Sequence, residues 1–323
     1  MRWPSMNCLL FQLKFNTPVH FGSPDSALSL YSSEAHFRAD TLFSALCHTA
    51  AQLHGEDGVQ RLIGLAKSGK LLLSDSMPWQ GDTLYLPKPY CTAKARREQP
   101  ADQRKKLKKL AWIPVERFEE YCTALRTGEL FSCDAPAFGH TDEVVKAIVP
   151  EWKDTVPFPV GIYQFRENAG LYFMMECEAA DQSWLQELVT ALGFSGIGGK
   201  VSAGYGKFAV LAVNELDGSA DAQHRWLYAA KQKSGGTQLL LTTSLPGEKE
   251  LESVLYDASY QLVRRAGFVG ANAGAPGKKQ TQHFLDAGSV MNMRFGGDVY
   301  PVADLGTHMV YRYSKPMFLG VEL

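Results

Sequence analysis

The sequence predicts an α+β protein of two domains, the first built on a β-α-β-β-α-β plan. Three observations carry this expectation. The chain has 323 residues, enough for two domains at about 100–200 residues each. Short apolar runs rich in aromatics alternate with stretches whose apolar residues recur at helical spacing. A polar spacer over 215–236, rich in Asp, Gln, Ser and Gly, separates a first unit (1–214) from a smaller one (237–323).

Cys8–Phe15 (CLLFQLKF) reads as the first strand, followed by a polar loop with Pro18, Gly22 and Pro24. Asp40 reads as the N-cap of a helix in which Leu42, Ala45, Leu46, Thr49 and Leu53 share a face, with Gly55 as its stop. Leu71–Leu73 and Thr83–Leu86 read as strand pieces about a turn at Gln80–Asp82. An excursion over 87–160 breaks the pattern with Pro87-Lys88-Pro89, a basic run and a helix near Val115–Leu125. Ile162–Arg166, a turn at Glu167–Gly170 and Leu171–Glu178 then read as a hairpin. Ser183 and Gln186 have capping-box spacing; Trp184, Leu185, Leu188 and Leu192 share a helical face, and Gly193 suits its end. Phe208–Val213 is the last strand of the unit. With the excursion set aside, this order is the ferredoxin-like, or RRM-like, split βαβ arrangement. The second unit reads as a strand (Gln238–Thr243), a short helix (Glu248–Tyr256), a strand (Tyr260–Val269) and strands near His283–Met293 and His308–Leu323.

Composition narrows the function. Apolar residues make up 45% of the chain and charged residues 21%, which excludes a disordered or collagen-like chain. Thirty-three Lys and Arg against 34 Asp and Glu give a net charge of −1, so any nucleic-acid site has to be a local patch. No run approaches the roughly 18 apolar residues of a membrane span, and the first apolar run stops at Gln12, short of a secretory signal. Cys8, Cys47, Cys91, Cys122, Cys133 and Cys177 form no C-x-x-C pair and no zinc spacing. They predict a reducing cytoplasm, and no metal or other cofactor is expected.

The segment best suited to binding is GIGGKVSAGYGKF, in which Gly196, Gly198, Gly199, Gly204 and Gly206 are five of the eleven residues from 196 to 206. A dinucleotide fingerprint needs a strand before the glycines and a helix after them, and here the order is reversed. A Walker A loop fails because Lys200 is followed by Val201 and Lys207 by Phe208. Two readings remain: a phosphate cradle in which Lys200, Ser202 and Lys207 add charge and hydrogen bonds, or a structural turn with several positive-φ positions. FGGDVYP (295–301) resembles a polymerase or cyclase hairpin, but Asp298 lacks the second carboxylate of two-metal chemistry and reads as a turn.

Charge supplies the second feature. From Lys94 to Lys109 eight cations (Lys94, Arg96, Arg97, Arg104, Lys105, Lys106, Lys108, Lys109) face two acids, net +6, which leaves −7 for the rest. A solvated helix or loop is the plain alternative. Arg264, Arg265, Lys278 and Lys279 flank a second Gly/Ala-rich loop, as a phosphate clamp or as surface charge.

The glycine-rich loop between the last helix and strand resembles the signature of the RAMP superfamily of CRISPR proteins. HFRADTLFSAL (36–46), YLPKP (85–89), RRAGFV followed by KK and AGSVM (264–291), and VYRYSKPMFLGVEL (310–323) narrow it. Together they resemble the family of fourth subunits of the Csm complex, the type III-A CRISPR effector, across the whole chain. Ala39 departs from the pattern, which has a small polar residue before the Asp.

The resemblance implies two ferredoxin-like RAMP domains and a non-catalytic subunit that caps the effector and grips the repeat-derived 5′ tag of the crRNA. Its implied partners are the crRNA tag, the large polymerase/cyclase subunit, a backbone RAMP subunit and target RNA near the tag. The implied RNA-binding residues are Arg38, Lys88, Gly196, Gly198, Gly199, Lys200, Ser202, Gly204, Tyr205, Gly206, Lys207, Arg264, Arg265, Lys278 and Lys279. The basic run resembles a thumb that presses on the guide–target duplex, with Tyr90 and Trp112 beside it for stacking. For Arg38 a surface ion pair is the alternative. A rival from another class is a metal-independent crRNA-processing endoribonuclease, with His20 or His36 as general acid or base.

Overall fold

The computed structural model describes residues 6–23, 29–91, 101–148, 156–218, 221–269, 277–304 and 308–323; the side chains of 101–104 and 148 are not among them. The protein is mixed α/β, and its sheets are antiparallel. The largest has seven strands. Across it run Phe208–Glu215, Met6–Phe15 and Ala169–Glu178, then Leu71–Leu73 and Met77–Gln80 end to end along the same edge, then Thr83–Pro87 and Trp112–Pro114.

Side chains on a strand alternate between faces, and this sheet is covered on both. Leu9, Phe11, Leu13, Leu171 and Phe173 point into one core, with Leu42, Phe43 and Leu46 of helix Ala39–Lys67 and Leu185, Leu188 and Val189 of helix Ala179–Ser195. Phe11 and Phe173 stack at 4.9 Å across their strands. Cys8, Leu10, Tyr172 and Met174 point the other way, into a core shared with Phe118 and Tyr121, Leu227, and Leu239 and Leu319. Burial on two faces is why AGLYFMMECE is almost continuously apolar.

Several expectations need correction. Ile162–Arg166 does not form a hairpin with Leu171–Glu178. Strand Val156–Phe165 pairs instead with Gly139–Ile148, because both edges of Ala169–Glu178 are already taken. The 87–160 segment does not stand outside the core: Trp112–Pro114 pairs with Thr83–Pro87, and Ile113, Phe118 and Tyr121 are buried. Asp40 is not the cap of its helix. The position before the first turn is Arg38, and the Ala39 N–H donates to the distant Asp75 carboxylate at 2.8 Å. Gly55 kinks that helix at φ +65 instead of ending it. Ser183 and Gln186 lie inside helix Ala179–Ser195, which starts straight after the strand, and Gly196 ends it.

The 215–236 spacer is no simple linker. It holds helix Ala222–Gln232, capped by Asp221, which accepts from the Gln223 and His224 N–H groups, with Leu227 fully buried. The C-terminal run is two strands, not one. Met309–Tyr313 pairs with Val299–Asp304, the chain breaks around Pro316, and Phe318–Val321 pairs with Thr237–Leu240. Among the described residues no helix is long and apolar enough to cross a membrane.

Candidate nucleic-acid interface

The loop between helix Ala179–Ser195 and strand Phe208–Glu215 is stitched down along one side. Gly199 N–H donates to His20 O, Gly206 N–H to Pro18 O, Ile197 N–H to Gly206 O and Lys207 N–H to Thr17 Oγ1, at 2.8–3.0 Å. Its glycines divide by role. A Cβ on Gly196 would strike the Tyr205 carbonyl, on Gly198 or Gly199 it would strike His20, and on Gly206 the Ile197 carbonyl. Those four serve packing. Gly204 (φ +88) has nothing within 4 Å of where a Cβ would stand, so there the chain turns in open space. Lys200 holds a left-handed conformation (φ +60) that a non-glycine residue seldom adopts. Lys200 and Gly204 bracket a single 3-10 turn, Val201–Ala203, with Ser202 exposed; Lys207 beyond it is exposed too. The structural-turn reading fits one side of the loop, and the other side presents backbone, a hydroxyl and ammonium groups outward.

The loop borders a cleft of about 120 Å³ whose walls include Gly198, Gly199, His20, His36, Arg38 and Arg265. Three elements far apart in sequence bring predicted residues together here. Arg38, only 5% exposed, pairs with Glu34 and lies 3.6 Å from Asp286. Arg265 forks onto Asp40 with bonds of 2.9 and 2.6 Å, and Arg312 stands 3.8 Å from the same carboxylate. The two arginines hold Asp40 below the usual carboxylate range despite its burial. Asp75 behaves oppositely. Burial pushes it up to about 6, although Arg38 and hydrogen bonds from Thr243 and Ala39 oppose the rise. Asp75 thereby ties the start of the first long helix to Thr243, just past strand Thr237–Leu240.

The histidines are constrained. The Gly161 carbonyl can only accept, so His20 Nδ1 donates to it at 2.6 Å. Burial, with help from Arg38 and Arg265, pushes His36 down to about 3, which favours the neutral imidazole. Tyr90 donates to Asp286 and Trp112 meets the His36 ring edge-on, so both predicted stacking residues already have partners.

The remaining predicted cations spread outward. Lys88 donates to the Leu107 carbonyl at 2.5 Å, clamping the last turn of helix Ala101–Lys109. On that helix Lys105, Lys106, Lys108 and Lys109 are exposed; Lys94, Arg96 and Arg97 lie outside the described residues, as does the Arg104 side chain. Arg264 stands opposite His283 in the strand pair that carries Arg265. Lys278 is exposed, while burial lowers Lys279, which lines a larger hollow of about 490 Å³ with Cys47, His48 and His308. Sequence reading missed Glu34, Asp75, Asp286 and Arg312, whose partners are all distant in the chain except Arg38 for Glu34. It also missed the long ribbon of strands Gly139–Ile148 and Val156–Phe165, whose Tyr163 backbone bonds to Val19 beside the loop.

Residues 233–321 match the family model for the CRISPR Csm4 C-terminal domain. The chain is 31% identical to the CRISPR system Cms protein Csm4 of Mycobacterium tuberculosis (strain ATCC 25618 / H37Rv), over 98% of each chain. It is 30% identical to that of Streptococcus thermophilus, over 94% of this chain and 96% of that one. In fold it is similar to a chain of the Csm1–Csm4 cassette crystallised with AMPPNP, with a TM-score of 0.61 at 20% identity over 99% of both chains. A chain of the Csm3–Csm4 subcomplex of the type III-A interference complex gives a TM-score of 0.60 at 17% identity, over 97% of this chain and 99% of that one.

Proposed function

The chain belongs to the Csm4 family of CRISPR Csm proteins, and from that premise we propose that it is a non-catalytic RNA-binding subunit of a type III-A effector, gripping the 5′ tag of the crRNA at the Gly196–Lys207 loop. The observation that carries the reading is the outward side of that loop. Exposed Ser202, unhindered Gly204 and the exposed side chain of Lys207 stand at its open side, with left-handed, half-buried Lys200 beside them. Bare backbone and lysines suit phosphates and carry no base code, as a tag-holding site requires. Two protein partners are assigned by likeness, the large subunit and a backbone subunit, since relatives of this fold are found in Csm1–Csm4 and Csm3–Csm4 assemblies.

The same reading covers the architecture. The sheet order Phe208–Glu215, Met6–Phe15, Ala169–Glu178, Met77–Gln80 supports a ferredoxin-like first domain of the RAMP type. The family match over 233–321 supports a second domain over about the last quarter of the chain. The basic helix Ala101–Lys109, with four exposed lysines, is assigned to target RNA beside the tag as a thumb-like feature. The endoribonuclease alternative has less support. His36 is held in its neutral form, a weak acid and a weak base, and His20 spends its Nδ1 proton on a backbone carbonyl.

Retention of crRNA by the assembled complex tests the assignment. Lys200→Ala should weaken retention about equally for any tag sequence and flatten the log-affinity against log-salt slope by about 0.7, the increment for one phosphate of a single strand. Gly204→Val, which strains a positive-φ position without a clash, should weaken it as well. A loss confined to particular tag sequences would refute phosphate holding.

A further inference from the structure

We propose that the junction between the glycine-rich loop and the ribbon of strands Gly139–Ile148 and Val156–Phe165 is a binding site for one nucleotide unit of single-stranded RNA, with Lys146 and Lys200 on its phosphates and Phe158 stacked on its base. The inference rests on the RNA-binding reading above and adds two residues that lie outside the loop.

The ribbon's register sets Lys146 directly opposite Phe158 and Val144 opposite Val160. Directly opposed side chains, and those two residues along, share a face, so one face of the ribbon presents Val144, Lys146, Phe158 and Val160. That face packs on the glycine loop: Val160 and Ile162 are buried against Tyr205, with Val144 and Phe158 at the margin. The charges cross over at the seam. The Lys146 ammonium, from the ribbon, lies 5.0 Å from the ring centre of Tyr205 in the loop. The Lys200 ammonium, from the loop, lies 5.2 Å from the ring centre of Phe158 in the ribbon.

Among the described residues neither ammonium has an ion pair to a carboxylate; their partners are the two rings. This contrasts with Arg38 and Arg265 in the neighbouring cleft, each held by carboxylates. A ring holds a partly exposed ammonium weakly, whereas a phosphate offers full charge and strong acceptors. A phosphodiester arriving beside Gly204 therefore draws Lys200 off Phe158. Phe158 is half-buried, and the departing ammonium frees a ring face on which any base can stack. Lys146, steadied on the mostly buried Tyr205 ring, takes the adjacent phosphate. An acidic peptide would satisfy the lysines and leave the ring unused, so the aromatic is what favours a nucleotide.

The test uses the full-length chain in the assembled complex and reads the salt dependence of crRNA release. Lys146→Ala should lower affinity and reduce the salt slope by about 0.7. Phe158→Leu, which keeps the apolar contact with the ribbon face, should weaken binding roughly 5- to 100-fold with the slope unchanged, and Phe158→Trp should restore it. If Lys146→Ala and Phe158→Leu both match the parent while Lys200→Ala still weakens binding, the junction site is refuted and the loop reading stands. If all three match the parent, both are refuted. A Phe158→Leu complex that loses slope without losing affinity at low salt also overturns the stacking role.

Discussion

Arg38→Ala should destabilise the protein by about 3–5 kcal/mol, the cost of breaking a buried ion pair and stranding its partners. Arg38 is 5% exposed and faces Glu34 and Asp286, and its charge is one of the influences that hold Asp75 down. Removing it strands carboxylates in low dielectric at the seam between the first long helix and the C-terminal segment. The loss should depend on pH with a defined sign. Asp75 already titrates near 6 in the folded state against an ordinary 3.8, so folding binds its proton more tightly. Its contribution to stability is therefore greatest in acid and falls as pH rises through about 6. Without Arg38 the folded value rises further, so the variant's deficit should be larger at pH 8 than at pH 5 in thermal unfolding. Unchanged unfolding at both pH values, with crRNA binding lost, would make Arg38 a surface RNA contact instead of a structural one.

Gly206→Ala should be nearly as damaging, and Gly204→Ala should not. Both glycines have positive φ, +75 and +88, and an alanine pays about 1 kcal/mol or a little more for that conformation. At Gly206 the new methyl also meets the Ile197 carbonyl, whose residue's own N–H is bonded to Gly206 O, so the loop has to open to admit it. We expect a total of about 3 kcal/mol or more at Gly206, with loss of crRNA following from loss of the loop. At Gly204 the methyl enters empty space, and about 1 kcal/mol is expected. Equal melting temperatures for the two variants would mean that the packing described for this loop is wrong.

The parts of this architecture that could be read from sequence are those whose signal is local. The apolar, aromatic run Cys8–Phe15, helical spacing after Asp40 and the cluster of glycines at 196–206 each follow from a few neighbouring residues. What escaped depends on distant partners. GHTDEVVKAI carries too many charges to look like a strand, and it is one only because Val156–Phe165 lies along its full length. Asp40 has the chemistry of an N-cap, yet its carboxylate is claimed by Arg265, 225 residues away. Helix Ala222–Gln232 looked like linker because it buries few positions, Leu227 chief among them. Arg38 and Arg265 stood out in the sequence, but not as members of a buried charge network, because Asp75 and Asp286 carry no motif. Phe158 had no signal at all: its neighbour Lys200 is 42 positions further on, joined to it only through the loop–ribbon seam.

The proposed path of the crRNA tag along the Gly196–Lys207 loop of this subunit is open to direct test. Photo-crosslinking tests it most directly. The complex would be assembled on crRNA carrying 4-thiouridine at successive tag positions, irradiated, and mapped by mass spectrometry of the adducted peptides. Adducts are expected within 196–207, with further adducts at or beside Phe158. Adducts confined to other subunits, or on this chain only at surfaces away from the loop and its cleft, would contradict it.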